Sequence, residues 1–141
     1  MCESCYLYDI MTENELSYII RGAIFKVYYA LGPGLLESVY VAALVYELKK
    51  ADLIVRTEVP LPVIYEEEKL DLGFRIDILV NDLVIISEGS FGEVKSIELL
   101  AEVHHKIVLT YLKLSGKKLA ILVNFNTDNI AKNIFRKVNK L

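Results

Sequence analysis

Phe74-Arg75-Ile76-Asp77-Ile78-Leu79-Val80-Asn81-Asp82-Leu83-Val84-Ile85-Ile86, then Ser87-Glu88-Gly89-Ser90-Phe91-Gly92, then Glu93-Val94-Lys95-Ser96-Ile97, is the stretch on which the fold turns. Two apolar, β-branched runs joined by Asn81-Asp82 read as antiparallel strands with a tight turn. Strand alternation puts Arg75 and Asp77 on one face and Phe74, Ile76 and Ile78 on the other. Ser87 to Gly92 reads as a loop, after which a strand resumes with Glu93 and Lys95 on one face and Val94 opposite. Two carboxylates and an amine can then converge on one point. Carboxylates hold a hard divalent cation through oxygen, and a lysine beside them can act on a water or on phosphate charge. The same residues can equally form plain cross-strand salt bridges, Asp77 with Arg75 or Lys95.

The flanks suggest one α/β sandwich with a mixed sheet, in the order ααββββαβ and a tail. Thr12-Glu13-Asn14-Glu15 reads as a capping box for a helix with Ile19, Ile20, Ala23, Ile24 and Val27 at helical spacing, ending at Leu31-Gly32. A second helix is expected from about Leu35 to Lys50, with Leu36, Val39, Tyr40, Ala43, Leu44 and Leu48 as its apolar stripe. A strand over 54–59 continues through Val63-Ile64-Tyr65 past Pro60 and Pro62, which mark an edge or bulge, and Glu66 to Lys69 reads as a solvated turn. A third helix spans about Leu99 to Leu114 with Val103, Ile107 and Leu114 inward. Leu119 to Val123 suits a buried central strand. Ile130 to Val138 fits a last strand or a short helix.

The bulk numbers bound the function. The 141 residues suffice for one domain with a core, and 54% apolar with 25% charged residues describes a folded chain. One domain over 12–141 after a flexible 1–11 tail is expected. No apolar run reaches about 18 residues and the N-terminus does not resemble a signal peptide, so a cytoplasmic protein without a membrane partner is expected. Cys2 and Cys5 form a lone C-x-x-C without a second ligand pair or a redox-motif context, and read as reduced tail residues. Net charge is −3, yet residues 1–102 carry −10 and residues 103–141 carry +7. That asymmetry fits either a polyanion-facing surface or two halves that neutralise each other in the fold. Tyr18, Tyr28, Tyr29 and Tyr46 suit either a homodimer surface or the edge of the core.

Glu37 and Tyr40, three residues apart, share a helical face with Leu36 and Ala43. That face is expected to point inward, where an acid is costly unless paired or bound to metal. Alternatively, Glu37 simply favours the positive end of the helix dipole.

Leu31-Gly32-Pro33-Gly34-Leu35-Leu36-Glu37-Ser38-Val39-Tyr40 resembles the hallmark of the GxxExxY protein family. The resemblance continues through 74–80, Glu93-Val94-Lys95-Ser96, Leu109-Thr110-Tyr111-Leu112-Lys113-Leu114 and Val123-Asn124-Phe125, covering about 12 to 138. That family is placed among PD-(D/E)xK nuclease-like proteins. The resemblance therefore implies a restriction-endonuclease-like αβββαβ core with an extra N-terminal helix. It implies a Mg²⁺- or Mn²⁺-dependent hydrolase, a nuclease acting on nucleic acid and chiefly on DNA. Asp77, Glu93, Glu37 and the Val94 carbonyl would hold the metal, Lys95 would act on the attacking water, and Tyr40 and Tyr111 would support the site. Lys113, Lys117, Lys118, Lys132, Arg136, Lys137 and Lys140 would then meet the phosphate backbone.

Two departures stand out. Ile107 occupies the glutamine position of a Q-x-x-x-Y element, and the nearby His104 and His105 either compensate for the missing polar contact or are solvated helix residues. Ser87 to Gly92 intervenes before E-x-K. Either the strand bulges and still delivers Glu93 and Lys95, which keeps the whole motif, or Glu88 takes the acid's position and Ser90 replaces the lysine, with catalysis expected to suffer. The alternative function is a catalytically silent nucleic-acid- or protein-binding domain on the same fold.

Overall fold

The computed structural model describes residues 11–71, 73–89 and 97–141, with side chains from 102 onward in the last of these. Helix α1 spans Glu13–Leu31 and buries Leu16, Ile20, Ile24 and Val27. Thr12 caps it: its Oγ1 accepts from the Glu15 N–H at 3.2 Å and its hydroxyl donates to Glu15 Oε1 at 3.2 Å. The capping pair is thus as expected, although the Glu15 carboxylate engages the hydroxyl. Gly32, at φ 69, stops the helix with its N–H on the Tyr28 carbonyl.

Helix α2 is Glu37–Lys50, beginning two residues later than expected because Leu36 stays extended at φ −69, ψ 148. Tyr40 closes the intervening turn. Its hydroxyl donates to the Gly32 carbonyl at 2.6 Å and accepts from the Leu35 N–H at 3.0 Å. Its buried ring stacks on Phe125 with centroids 4.6 Å apart. Tyr40, Leu44 and Leu48 form the buried stripe, whereas Leu36 and Val39 are exposed, contrary to the spacing argument. The first turn of α2 overhangs the sheet, so its flank meets solvent.

The main sheet has the order β1-β4-β5-β6-β7, from β1 (Val55–Pro60), β4 (Arg75–Val80), β5 (Val84–Glu88), β6 (Leu119–Val123) and β7 (Ile134–Val138). Among the described residues only β5 and β6 pair in parallel, and helix α3 (Ile97–Ser115) lies between them in the chain. Asn81 and Asp82, at φ 50 and 56, make the β4–β5 turn. Such left-handed pairs match the twist of antiparallel strands.

Several expectations change. Val63–Tyr65 (β2) does not prolong β1; it pairs with Glu68–Leu70 (β3) in a separate hairpin. Glu66 and Glu67, at φ 47 and 73, form its two-residue turn, so the "solvated turn" is shorter and half of it is strand. Ser87 and Glu88 belong to β5, not to a loop: they pair with Leu122 and Val123, and the Gly89 N–H reaches the Val123 carbonyl at 2.7 Å. The parallel partner satisfies this backbone, which the polar side chains concealed. Ile97 opens α3, while Glu93 to Ser96 lie outside the described residues, as do Cys2 and Cys5. In α3 the inward residues are Val108 and Leu112, both fully buried, whereas Val103 is 43% and Ile107 42% exposed and Leu114 is exposed as well. The stripe is rotated by about one residue, or roughly 100°. Ile130 to Val138 is both candidates in turn, a 3-10 turn at Ile130–Asn133 followed by β7.

Two apolar layers result. One packs α1 and α2 on Ile78, Val80, Val84, Ile86, Leu119, Ile121 and Val123. The other packs α3 on Ile76, Leu79, Ile85, Ala120 and Leu122. Ile76 and Ile78 fall in different layers, so strict alternation fails at Asp77. Across the pairing, Glu58 lies between Thr57, opposite Ile78, and Val59, opposite Ile76, and it has φ 51. A left-handed non-glycine residue inside a strand twists the ladder there.

Tyr40→Phe keeps the ring stack and removes the hydroxyl. Urea denaturation should show a loss of about 1–2 kcal/mol, the scale for unpairing buried polar groups. Amide exchange at Leu35 should accelerate while that of β6 does not.

Candidate active site

Asp77 lies near the start of β4, where the break in alternation leaves it half-buried. Its Oδ2 accepts the backbone N–H of Glu88 at 3.0 Å, so the last residue of β5 stands directly beside it. Glu88 is 3% exposed. Arg75 does not pair with Asp77: its guanidinium donates to the Phe74 carbonyl at 3.0 Å and lies 3.5 Å from Asp71.

Glu37, Arg75, Asp77, Ser87, Glu88, Gly89, His104, Ile107 and Tyr111 line one cleft of about 310 Å³. Glu37 reaches it from the first turn of α2, where the Tyr40 latch sets the chain direction. It is exposed and does not point into the core as expected, so it is no buried acid. A second, larger cavity of about 680 Å³ adjoins the first through Glu37 and Asp77, and adds Glu58.

Burial pushes the Asp77 carboxyl above the ordinary carboxylate range. The Glu88 N–H opposes this shift and the Glu58 charge adds to it. Glu37, although exposed over much of its surface, is likewise raised, first by partial desolvation where it lines the cleft and then by Asp77 and Glu58. Tyr111 is raised by burial and by Asp77, and its ring meets Phe74 edge-on at 6.3 Å. Carboxylates gathered so that Glu58 raises Asp77 and Glu37, and Asp77 raises Glu37, suit a hard cation in donor chemistry. Among the described residues, however, no three acids or histidines already stand close enough together to enclose one.

A family model of the PD-(D/E)XK nuclease superfamily matches residues 14–138. The chain belongs to this superfamily. Neither curated proteins nor solved structures yield a match. Membership brings a nuclease-type function, and the five-stranded mixed sheet with helices on both faces agrees with a restriction-endonuclease-like fold. The segments that resemble GxxExxY proteins fall within the matched span. Among the described residues no helix is long and apolar enough to cross a membrane.

Set against the superfamily's D…E-x-K signature, the structure brings Asp77, Glu37 and Tyr111 together. Glu93, Val94 and Lys95 lie outside the described residues. Glu88 occupies the strand end next to Asp77. Tyr40 does not line the cleft; its hydroxyl holds the turn that precedes Glu37.

The basic residues are scattered. Lys117 pairs with Asp82 at 3.1 Å, and Asn139 bonds the Lys118 carbonyl. Lys117, Lys118 and Lys140 thus lie beside the β4–β5 turn, a strand length of about 13 Å from Glu88. Arg136 binds Asn14 at 2.5 Å. Lys132 alone of this group precedes the end of β7 that pairs with Val123, which in turn pairs with Glu88. The basic half of the sequence is therefore no single face directed at the cleft.

Sequence reasoning found no signal for Glu58 and left the role of the two histidines undecided. Glu58 becomes relevant only through the β1–β4 register. His105 is half-buried and packs edge-on against Phe135 at 4.7 Å. His104 is half-buried, and its Nε2 lies 3.0 Å from Ser87 Oγ. Neither is simply solvated, and helical spacing alone carried no signal for the Ser87 contact.

A raised folded-state pKa means that the ionised Asp77 costs stability, fully so above that pKa. The cost fades as pH falls through the folded value towards the unfolded one. Asp77→Asn should therefore melt higher than wild type at neutral pH, and the gap should close on acidification through that window. Thermal melts over a pH series check this.

Proposed function

We propose that this protein is a Mg²⁺- or Mn²⁺-dependent nuclease that hydrolyses phosphodiester bonds of nucleic acid, DNA foremost, in the Asp77–Glu88 cleft. The observation that carries this reading is the Glu88 N–H on Asp77 Oδ2 at 3.0 Å, which fixes two acidic residues side by side at a strand end. In this reading Asp77, Glu88 and Glu37 are the residues that would hold the cation. Their oxygen donors favour Mg²⁺ or Mn²⁺ over softer metals. Such a cation supplies charge neutralisation at the phosphate and a more acidic water.

The chain's own groups then have distinct tasks. Glu88, anchored by β6, keeps its backbone N–H on Asp77 and so holds that carboxylate in one orientation. Tyr40 fixes the turn that brings Glu37 over the cleft. Tyr111 lines the cleft from α3, with the Phe74 ring edge-on against it. Lys132 would meet a phosphate neighbouring the one cut.

The reading assigns the second acid to Glu88 and leaves Glu93 and Lys95 as the competing register. Plasmid and single-stranded oligonucleotide cleavage in Mg²⁺ or Mn²⁺ separates them. Asp77→Ala and Glu88→Gln should fall to background. Loss in Glu93→Gln and Lys95→Ala with Glu88→Gln fully active would transfer the site to the E-x-K residues. Mn²⁺ should also raise the melting temperature of the wild type and not of Asp77→Ala, since only the folded acids bind it. Salt-sensitive DNA binding with neither cleavage nor Mn²⁺ stabilisation would point instead to a silent binding domain.

A further inference from the structure

Ser87 and His104 sit at the cleft with no task in the assignment above. Ser87 is 5% exposed and follows Ile86 into the strand end where Asp77 lies opposite. His104 comes from α3 on the other layer and brings its Nε2 to 3.0 Å from Ser87 Oγ. Both line the same cleft as Asp77, Glu88 and Tyr111. Gly89 lies close to the imidazole: a Cβ there would stand 3.2 Å from His104 Cε1, 3.3 Å from Nδ1 and 3.1 Å from Leu122 Cδ1, contacts tight enough that these side chains would have to shift slightly. The chain thus keeps the residue after the paired acids small where the imidazole lies.

We propose that Ser87 and His104 form a proton relay for the attacking water, with His104 the final acceptor. The inference rests on the nuclease reading and deepens it. The water passes a proton to Ser87 Oγ while the Ser87 hydroxyl proton moves to His104 Nε2. The water oxygen forms the new bond to phosphorus, and the bond from phosphorus to the leaving ester oxygen breaks. The leaving oxygen keeps that electron pair and is protonated by solvent, and His104 returns its proton to solvent. The relay performs the step that a lysine performs in the E-x-K register, and it comes from the helix rather than from the strand.

The surroundings favour an imidazole that rests neutral. Burial lowers its proton affinity, and His105 on the same helix lowers it further. Among the described residues, the other titratable and charged groups that line the cleft are Asp77, Arg75 and Glu88 from the sheet, Glu37 from α2 and Tyr111 from α3. A neutral acceptor held by a hydroxyl is what general-base work requires.

The relay requires that His104 carry its resting proton on Nδ1, with Nε2 accepting from Ser87. Nitrogen–proton NMR of the metal-free protein reads this directly. An Nδ1-protonated His104 that changes its signals in Ser87→Ala is expected; a proton on Nε2 overturns the relay. Kinetics give a second readout. His104→Gln preserves a polar partner for Ser87 but not a base, so a structural role would leave it active. The relay predicts instead a fall of about 10²-fold or more in kcat, the scale of general-base catalysis. Mn²⁺ binding and melting temperature should stay unchanged, and added imidazole should partly restore His104→Ala in Mg²⁺. Wild-type kcat in His104→Gln, with Asp77→Ala dead, overturns the relay alone. Absence of cleavage by the wild type overturns the relay and the nuclease reading together.

Discussion

The parallel pairing of β5 with β6 is the constraint from which the rest of the molecule follows. Parallel neighbours cannot be joined by a tight turn, so the chain must leave the sheet, cross one face and return. Here α3 makes that crossing. Both strands are buried along their whole length, which requires an apolar layer on each side, and α1 with α2 supplies the second. The crossing also lays α3 over the end of β5. His104 and Tyr111 therefore meet Asp77 and Glu88 across more than ten residues of intervening chain. Polar groups at that strand end are held by their neighbours' ladders, so Ser87 and Glu88 stay ordered where their side chains alone would favour a turn.

The cleft is built against stability. The Glu58 charge raises the proton affinity of both Asp77 and Glu37, Asp77 raises that of Glu37 further, and among the described residues none of the three takes part in an ion pair. Glu58 adds a left-handed backbone that costs about 1 kcal/mol or more for a non-glycine residue. The apolar layers and the Tyr40–Phe125 stack offset these costs from outside the site. Such a distribution suits a nuclease superfamily member, because concentrated negative charge has a use only when a cation or a proton arrives.

Several features were legible because they depend on neighbours in sequence. Thr12 and Glu15 cap α1, Gly32 ends it, and Asn81-Asp82 turns the hairpin: each is settled within four residues. Asp77 stood out as a single acid in an apolar strand, and Glu37 as an acid beside the Gly32-Pro33-Gly34 turn. Other features depend on the partner strand or helix and misled. Ser87 and Glu88 looked like loop residues because their polarity is visible and the β6 ladder that pairs them is not. The stripe of α3 was displaced because Val103 and Ile107 are as apolar as Val108, and only packing against Ala120 and Leu122 chooses between them.

By itself the sequence determined the sandwich class, the two ends of α1, the strand that carries Asp77 and the superfamily to which the chain belongs. These rest on periodicity, caps and local backbone preference, which act over a few residues. Tertiary structure alone decided that Glu88 stands beside Asp77, that Glu58 adds its charge to theirs, that the lysines of the basic half scatter, and that His104 reaches Ser87. Each of these depends on strand register or on where a crossover helix lands. Register and landing are set by the burial of both faces of the sheet at once, which no local window of sequence contains.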